Sequence, residues 1–372
     1  MAEPAALAGA QDTTRITCID CDVHPTVPGM KALMPYLDEH WQEAVLEREI
    51  VSLDSQSYPP GAPLTARPDW RGADGRAGTD PALLADQVCD RWGASHAILN
   101  CIYGVQLVLN EDMATAFARA LNDWVAKEWL DRDPRLRASI VVPLQNVERA
   151  VEEIERCAGD PRFVQVLVLA MGEVPLGRRQ LWPVYAAAVR HKLAVGVHAG
   201  SAYRHPVTSL GWPSYHIEDY SAQSLGFQGQ VASLITEGVF QKHPGLKVVL
   251  IESGVTWLPA FLWRLSKFWR GVRHEVPWVD RPPADIVRDH IRLTVQPLDG
   301  PDDAASVERV IEHLHSDDVL LYASDYPHWQ FDGEEPMPPG IPRRLYHKLM
   351  VDNPLATYPR LATAMAPPRA GG

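Results

Sequence analysis

The sequence predicts an α/β fold of the (β/α)8 TIM-barrel type, with long inserted loops at the C-terminal face of the barrel. Three observations predict it. About eight short apolar runs alternate with amphipathic stretches between most successive pairs. Several runs, such as FVQVLVLAM and LKVVLIESG, are almost continuously apolar, as strands buried on both faces should be. Three runs end in Asp or His side chains followed at once by loop residues, and a barrel gathers its strand C-termini onto one face. The absence of a GxGxxG turn between strand and helix weakens an open dinucleotide-binding sheet as the alternative.

Period and punctuation place strands over residues 16–24, 94–103, 136–144, 163–171, 193–199, 246–253, 291–296 and 319–325. Helices are predicted over 111–130, 147–158, 178–192, 228–242, 257–272 and 304–314. In the second of these, Val147, Val151 and Ile154 share one stripe, while Glu148, Glu152, Glu153 and Glu155 are expected to face water. Three segments exceed ordinary connections: the Pro-rich stretch 25–92, the aromatic stretch 201–227, and 328–344. Long loops in a compact domain are usually functional or disordered. Two of these leave directly from the runs that carry Asp and His. The organisation expected is therefore a loose tail over 1–14, a barrel over 15–360 with 25–92 as an insertion or lid, and a second loose tail over 361–372.

Composition narrows the function classes. The formal net charge of the 372 residues is −12, with acidic and basic residues mixed throughout, which argues against a nucleic-acid or anionic-membrane surface. No apolar run reaches the roughly 18 residues needed to cross a bilayer. The Ala-rich N-terminus lacks the basic start and apolar stretch of a signal peptide, so a cytoplasmic location is the expectation. The five cysteines include Cys18-x-x-Cys21. Both lie in a strand, where residues three apart point to opposite faces, so buried free thiols are expected rather than a metal or redox pair.

Asp22 and His24 are two apart on the first strand and so share a face. His198 ends LAVGVHAG, and Asp325 ends VLLYASD. Each alone has a mundane reading: a turn cap, a residue before Pro25, a satisfied core histidine, an Asx turn. Together, at strand ends that a barrel makes converge, they point to one metal ion with an open coordination position. Zinc suits this mixed nitrogen and oxygen set, with manganese or iron tolerated if carboxylates dominate.

These motifs resemble those of the amidohydrolase superfamily, in the branch that includes aminocarboxymuconate-semialdehyde decarboxylase, aromatic-acid decarboxylases and lactone hydrolases. Ile19-Asp20-Cys21-Asp22-Val23-His24 is similar to that branch's first-strand metal motif, His198 to its fifth-strand ligand, and Asp325 to the eighth-strand aspartate that binds metal and carries a proton. The chain departs from the pattern at Asp22, where relatives often carry His or Glu, and at Glu252, where relatives with a His-Gly-Gly run place a catalytic histidine. Glu252 is read as orienting water or as a second acid/base beside Asp325; a cap or an ion pair with an arginine such as Arg264 is the alternative.

Two reaction classes fit. Metal-activated water could hydrolyse a small cyclic or aromatic carboxylated metabolite, which is the first expectation. Non-oxidative decarboxylation of a similar substrate is the second, and a non-catalytic binding barrel is a distant third. Arg204, Arg67 and Arg71 are loop candidates for holding a carboxylate. Tyr103, Trp212, His328 and Trp329 are expected to line the pocket. The helix WLPAFLWRLSKFWRGVR carries more aromatic surface than packing on a barrel requires, which predicts a homodimer or larger homo-oligomer.

Overall fold

A computed structural model describes residues 17–53, 66–301, 303–328 and 336–363. The two tail ends lie outside these residues. Eight parallel strands run in chain order around a barrel: β1 (Ile19–Val23), β2 (His96–Leu99), β3 (Leu136–Val141), β4 (Phe163–Met171), β5 (Ala194–Ser201), β6 (Val248–Ile251), β7 (Ile291–Thr294) and β8 (Leu320–Leu321). The Cys21 amide donates to the Tyr322 carbonyl at 3.1 Å, the Asp325 amide to the Asp22 carbonyl at 3.1 Å, and the His24 amide to the Tyr326 carbonyl at 2.7 Å, which ties the last strand to the first. Every strand residue but Gly200 is buried. Both sheet faces are therefore covered, the inner by side chains filling the barrel and the outer by helices.

The helices among the described residues are α1 (Met30–Leu33), α2 (Glu39–Glu47), α3 (Pro81–Leu84), α4 (Glu111–Val125), α5 (Val147–Cys157), α6 (Trp182–Arg190), α7 (His216–Thr236), α8 (Val239–Lys242), α9 (Leu258–Val272), α10 (Pro283–His290), α11 (Ala304–Leu314), α12 (Asn353–Thr357) and α13 (Pro359–Thr363). Caps explain several of their starts. Asn110, Asn146 and Asp303 each accept backbone N–H groups from the first turn of α4, α5 and α11.

The long connection 201–227 is not all loop, contrary to its sequence pattern. α7 begins at His216, twelve residues before the predicted 228, and a break at Glu237–Gly238 separates it from α8. Its start carries no buried stripe: Ile217, Tyr220 and Leu225 are exposed, so apolar periodicity gave no signal. What starts it is local. The Glu218 carboxylate accepts from the Ser214 and Tyr215 amides at 2.9 and 2.8 Å. α1, α2, α3, α10, α12 and α13 also lie where the sequence predicts no helix, all of them short.

The N-terminal mouth of the barrel holds two buried arginines, the second residues of β3 and β7. Arg137 donates to the carbonyls of Pro134 and Leu136, and Arg292 to those of Arg288 and Ile291. Main-chain oxygens, rather than carboxylates, compensate their burial there. All five cysteines are buried and free, as expected. No helix among the described residues is long and apolar enough to cross a membrane.

Candidate metal centre

The opposite mouth gathers the polar strand ends. Asp22 lies within β1 and His24 follows it; His198 lies in β5; Glu252 follows β6; Asp325 and His328 follow β8. His24 Nε2 stands 3.2 Å from Asp22 Oδ1, 3.2 Å from Glu252 Oε1 and 3.1 Å from Asp325 Oδ1. His198 Nε2 lies 3.4 Å from Glu252 Oε1 and 3.7 Å from Asp22 Oδ1. His328 Nδ1 is 2.7 Å from Asp325 Oδ1 and 3.3 Å from Glu252 Oε1. Two overlapping groups result, Asp22–His24–His198–Glu252 and His24–Glu252–Asp325–His328, each with its ligand atoms within 4.8 Å of one another.

Local backbone aims these side chains. Glu252 and Asp325 both sit at φ +57°, in the left-handed region that non-glycine residues seldom occupy. Such conformations cost on the order of 1–3 kcal/mol and persist where the surroundings over-determine them. Here the Thr294 hydroxyl accepts the Glu252 amide at 3.1 Å, and the Asp325 amide is held by the Asp22 carbonyl. His198 Nδ1 is 2.7 Å from the Ala199 carbonyl. A carbonyl can only accept, so Nδ1 carries the hydrogen and Nε2 faces the cluster.

Electrostatics follow from three carboxylates packed against three imidazoles. Burial pushes the Asp22 carboxyl up, but His24 and His198 overcome it and hold it at about 2. Glu252 is held well below the usual carboxylate range by His198, His24 and His328 against the effect of burial. Burial, then the neighbouring Glu252 charge, raises Asp325 to about 6. The carboxylates raise His24, His198 and His328 despite burial, the last to about 9.

The donor set fits a divalent cation. Asp22 Oδ2, His24 Nε2, His198 Nε2, Glu252 Oε1 and Asp325 Oδ2 are buried and make no hydrogen bond of proper geometry, although they converge. Buried polar atoms are rarely left so. Five oxygen and nitrogen donors, none of them sulfur, suit a hard or borderline ion.

The chain matches the amidohydrolase family model over residues 19–360. It belongs to that family. It is 30% identical over 190 residues to the γ-resorcylate decarboxylase of Rhodococcus jostii (strain RHA1), an alignment covering 48% of this chain and 55% of that one. The match spans about half the length of the curated relatives. Among solved structures, the dihydroxybenzoic acid decarboxylase of Polaromonas sp. JS666, with bound manganese and 2-nitroresorcinol, superimposes with a TM-score of 0.64 at 19% identity, covering 92% of this chain and 97% of that one. The 5-carboxyvanillate decarboxylase of Sphingomonas paucimobilis does so with a TM-score of 0.64 at 21% identity, covering 93% and 99%. These likenesses establish the shared barrel.

The structure thus brings Asp22, His24, His198, Glu252 and Asp325 together, and adds His328, which sequence reasoning had set on the pocket wall. Arg264 does not pair with Glu252; its guanidinium lies over the Phe268 ring, 4.9 Å from the centroid. The loop cations are engaged elsewhere. Arg204 pairs with Glu173 at 3.0 Å and donates to the Leu107 carbonyl, Arg67 pairs with Asp69, and Arg71 donates to the carbonyls of Ala66 and Gly75. Tyr103 is buried, Trp212 is 58% exposed, and Trp329 lies outside the described residues. An apolar cavity of about 450 Å³ lies apart from the cluster, lined by Met30, Met34, Val45 and Ile50. Asn100 and Asp20 were missed. Asn100 Nδ2 donates to Asp22 Oδ1 at 2.8 Å, and Asp20 Oδ1 accepts the amides of Asp22 and Ser324, bracing β1 against the end of β8. The available signal for Asn100 was the one used for the others, a polar side chain ending an apolar run (HAILN).

Proposed function

We propose that this chain is a metal-dependent, non-oxidative decarboxylase of a hydroxylated aromatic carboxylate. Asp22, His24, His198, Glu252 and Asp325 would hold the ion, manganese being favoured over zinc by the predominance of carboxylates and by the metal named in the Polaromonas structure. The observation that carries decarboxylation over hydrolysis is the match to γ-resorcylate decarboxylases.

The chain's own groups can perform the remaining work. When bound, the cation supplies a Lewis-acid anchor for the substrate's carboxylate and adjacent oxygen. His328, in hydrogen-bond contact with Asp325, lies at the solvent side of the cluster and forms with it a pair able to hold a proton. That proton goes to the ring carbon bearing the carboxylate. The bond to the carboxylate carbon then breaks, its electron pair restores the aromatic ring, and CO₂ leaves. Arg204 is engaged by Glu173, so no clamp on the substrate's carboxylate is assigned to it. Residues 66–92 would serve as cover: Trp70 packs against Tyr326, the neighbour of Asp325, at 5.4 Å between ring centroids, and the Tyr326 hydroxyl donates to Gln87 at 2.6 Å.

Hydrolysis remains the second reading, favoured by Glu252, whose carboxylate faces the cluster and could orient a water. One experiment separates the two. Manganese-loaded protein is incubated in H₂¹⁸O with 2,6-dihydroxybenzoate, a panel of hydroxylated benzoates, and lactones and esters of such acids, which alone offer a bond that water can cleave. We expect one CO₂ per substrate consumed and no ¹⁸O in the aromatic product. Label in the product without CO₂ release would establish hydrolysis instead, and CO₂ from no member of the panel would remove the decarboxylase reading.

A further inference from the structure

Beneath the cluster lies a second, fully buried polar layer inside the barrel. Asn100, the residue after β2, donates from Nδ2 to Asp22 Oδ1 at 2.8 Å. Its Oδ1 accepts from Ser139 Oγ on β3 at 2.6 Å and from Gln165 Nε2 on β4 at 3.1 Å. Gln165 Nε2 also donates to Ser139 Oγ at 2.8 Å, and Gln165 Oε1 accepts from the Tyr358 hydroxyl at 3.2 Å. Tyr358 stands at the junction of α12 and α13, so the layer joins four strands to the C-terminal helices. β5 contributes by omission. A Cβ on Gly196 would come within 2.7 Å of Gln165 Nε2, so only glycine leaves room for that side chain.

The direction of these bonds is set from one end. An ionised Asp22 carboxylate can only accept, so Asn100 must turn its NH₂ toward it. Its oxygen then faces Ser139 and Gln165, which obliges Gln165 to offer its own NH₂ there and its oxygen to Tyr358. Tyr358 has one proton and must donate it. Every amide orientation follows from the charge at the end of the chain, and each buried donor finds an acceptor. A network satisfied in one orientation only holds its terminal group rigidly.

We infer that Asn100 is a positioning residue for Asp22, and that the Tyr358–Gln165–Asn100 chain holds the orientation in which Asp22 offers its carboxylate to a metal. This rests on the ligand assignment above. Groups that hydrogen-bond a metal ligand orient it, and their loss typically costs about 10–100-fold in metal affinity.

The test is Mn²⁺ binding to the metal-stripped full-length chain, measured by calorimetry or by the electron spin resonance of free Mn²⁺, together with the Tm of the stripped protein. Wild type is the first arm; failure to bind Mn²⁺ there would overturn the ligand assignment and this inference with it. Asn100→Leu should raise the Kd about 10–100-fold. Tyr358→Phe, which removes one oxygen from the far end, should raise it by a smaller factor at an almost unchanged Tm, and decides the matter if Asn100→Leu does not fold. A merely structural layer would lower Tm and leave the Kd where it was. Wild-type binding in Tyr358→Phe and in a folded Asn100→Leu would overturn the inference while leaving the ligands standing.

Discussion

Asp325 illustrates how much one residue must reconcile. It is fully buried, adopts φ +57°, touches His24 at 3.1 Å and bonds His328 at 2.7 Å. Nothing about turn formation requires that combination, since glycine would adopt the same φ without strain. The strain and burial are consistent with a side chain retained for its chemistry. Asp325→Asn keeps the shape and removes the transferable proton. On a hydroxybenzoate the protein turns over, steady-state kinetics should show kcat lowered by about 10²–10⁴-fold with KM changed far less. An unaltered kcat would take Asp325 out of the proton transfer. Of the residues around it, Asp22, His24 and His198 were legible because each ends an apolar run. The sequence puts His328 only on the pocket wall, since nothing in HWQ tells whether the ring turns toward Asp325 or away from it.

At the scale of single elements, the barrel's two mouths behave differently toward acid. His96 opens β2 at the mouth opposite the candidate metal centre and is buried; burial, then the charge of Arg137, lowers its pKa to about 4. His243 and His290 are lowered by burial as well. A histidine that ionises less readily when folded binds fewer protons in the native state than in the unfolded chain. Its contribution is therefore complete above pH about 6.5 and is lost as pH falls toward 4. For His96 this amounts to about 1–3 kcal/mol. We expect Tm to fall over that window in the wild type and to fall less steeply in His96→Gln. Parallel acid limbs in the two proteins would show that His96 contributes nothing. Elements were legible where apolar period was strong: β4 and α11 match their predicted bounds, 163–171 and 304–314. β8 is only Leu320–Leu321, since the Tyr322 amide leaves the ladder for the Leu349 carbonyl, while the Tyr322 carbonyl and the Asp325 amide still bond β1.

For the whole molecule the open matter is what covers α9. Trp263, Phe268 and Val272 are 55, 52 and 54% exposed on that helix, and Trp278 follows at 40%. The loop and first turns of α7 expose Leu210, Trp212, Tyr215 and Ile217 as well. Several large apolar side chains exposed on neighbouring turns commonly mark an interface. We propose a homodimer or larger homo-oligomer, and expect light scattering at micromolar concentration to give a mass of at least twice 41.4 kDa. A monomer would overturn this.

By itself, the sequence determined that this is a barrel and which strand ends carry the Asp and His side chains that converge. Both are written in local pattern: a period of two or 3.6, and a change from apolar to Asp or His at a fixed place in each unit. Only the tertiary structure decided that Glu252 turns into the cluster, that His328 joins Asp325, and that Asn100, Ser139, Gln165 and Tyr358 form one directed chain under Asp22. The reason is geometric. Those contacts link residues as far apart as His24 and Glu252, or Tyr358 and Gln165, and depend on strand register and on two left-handed backbone positions that no local pattern encodes.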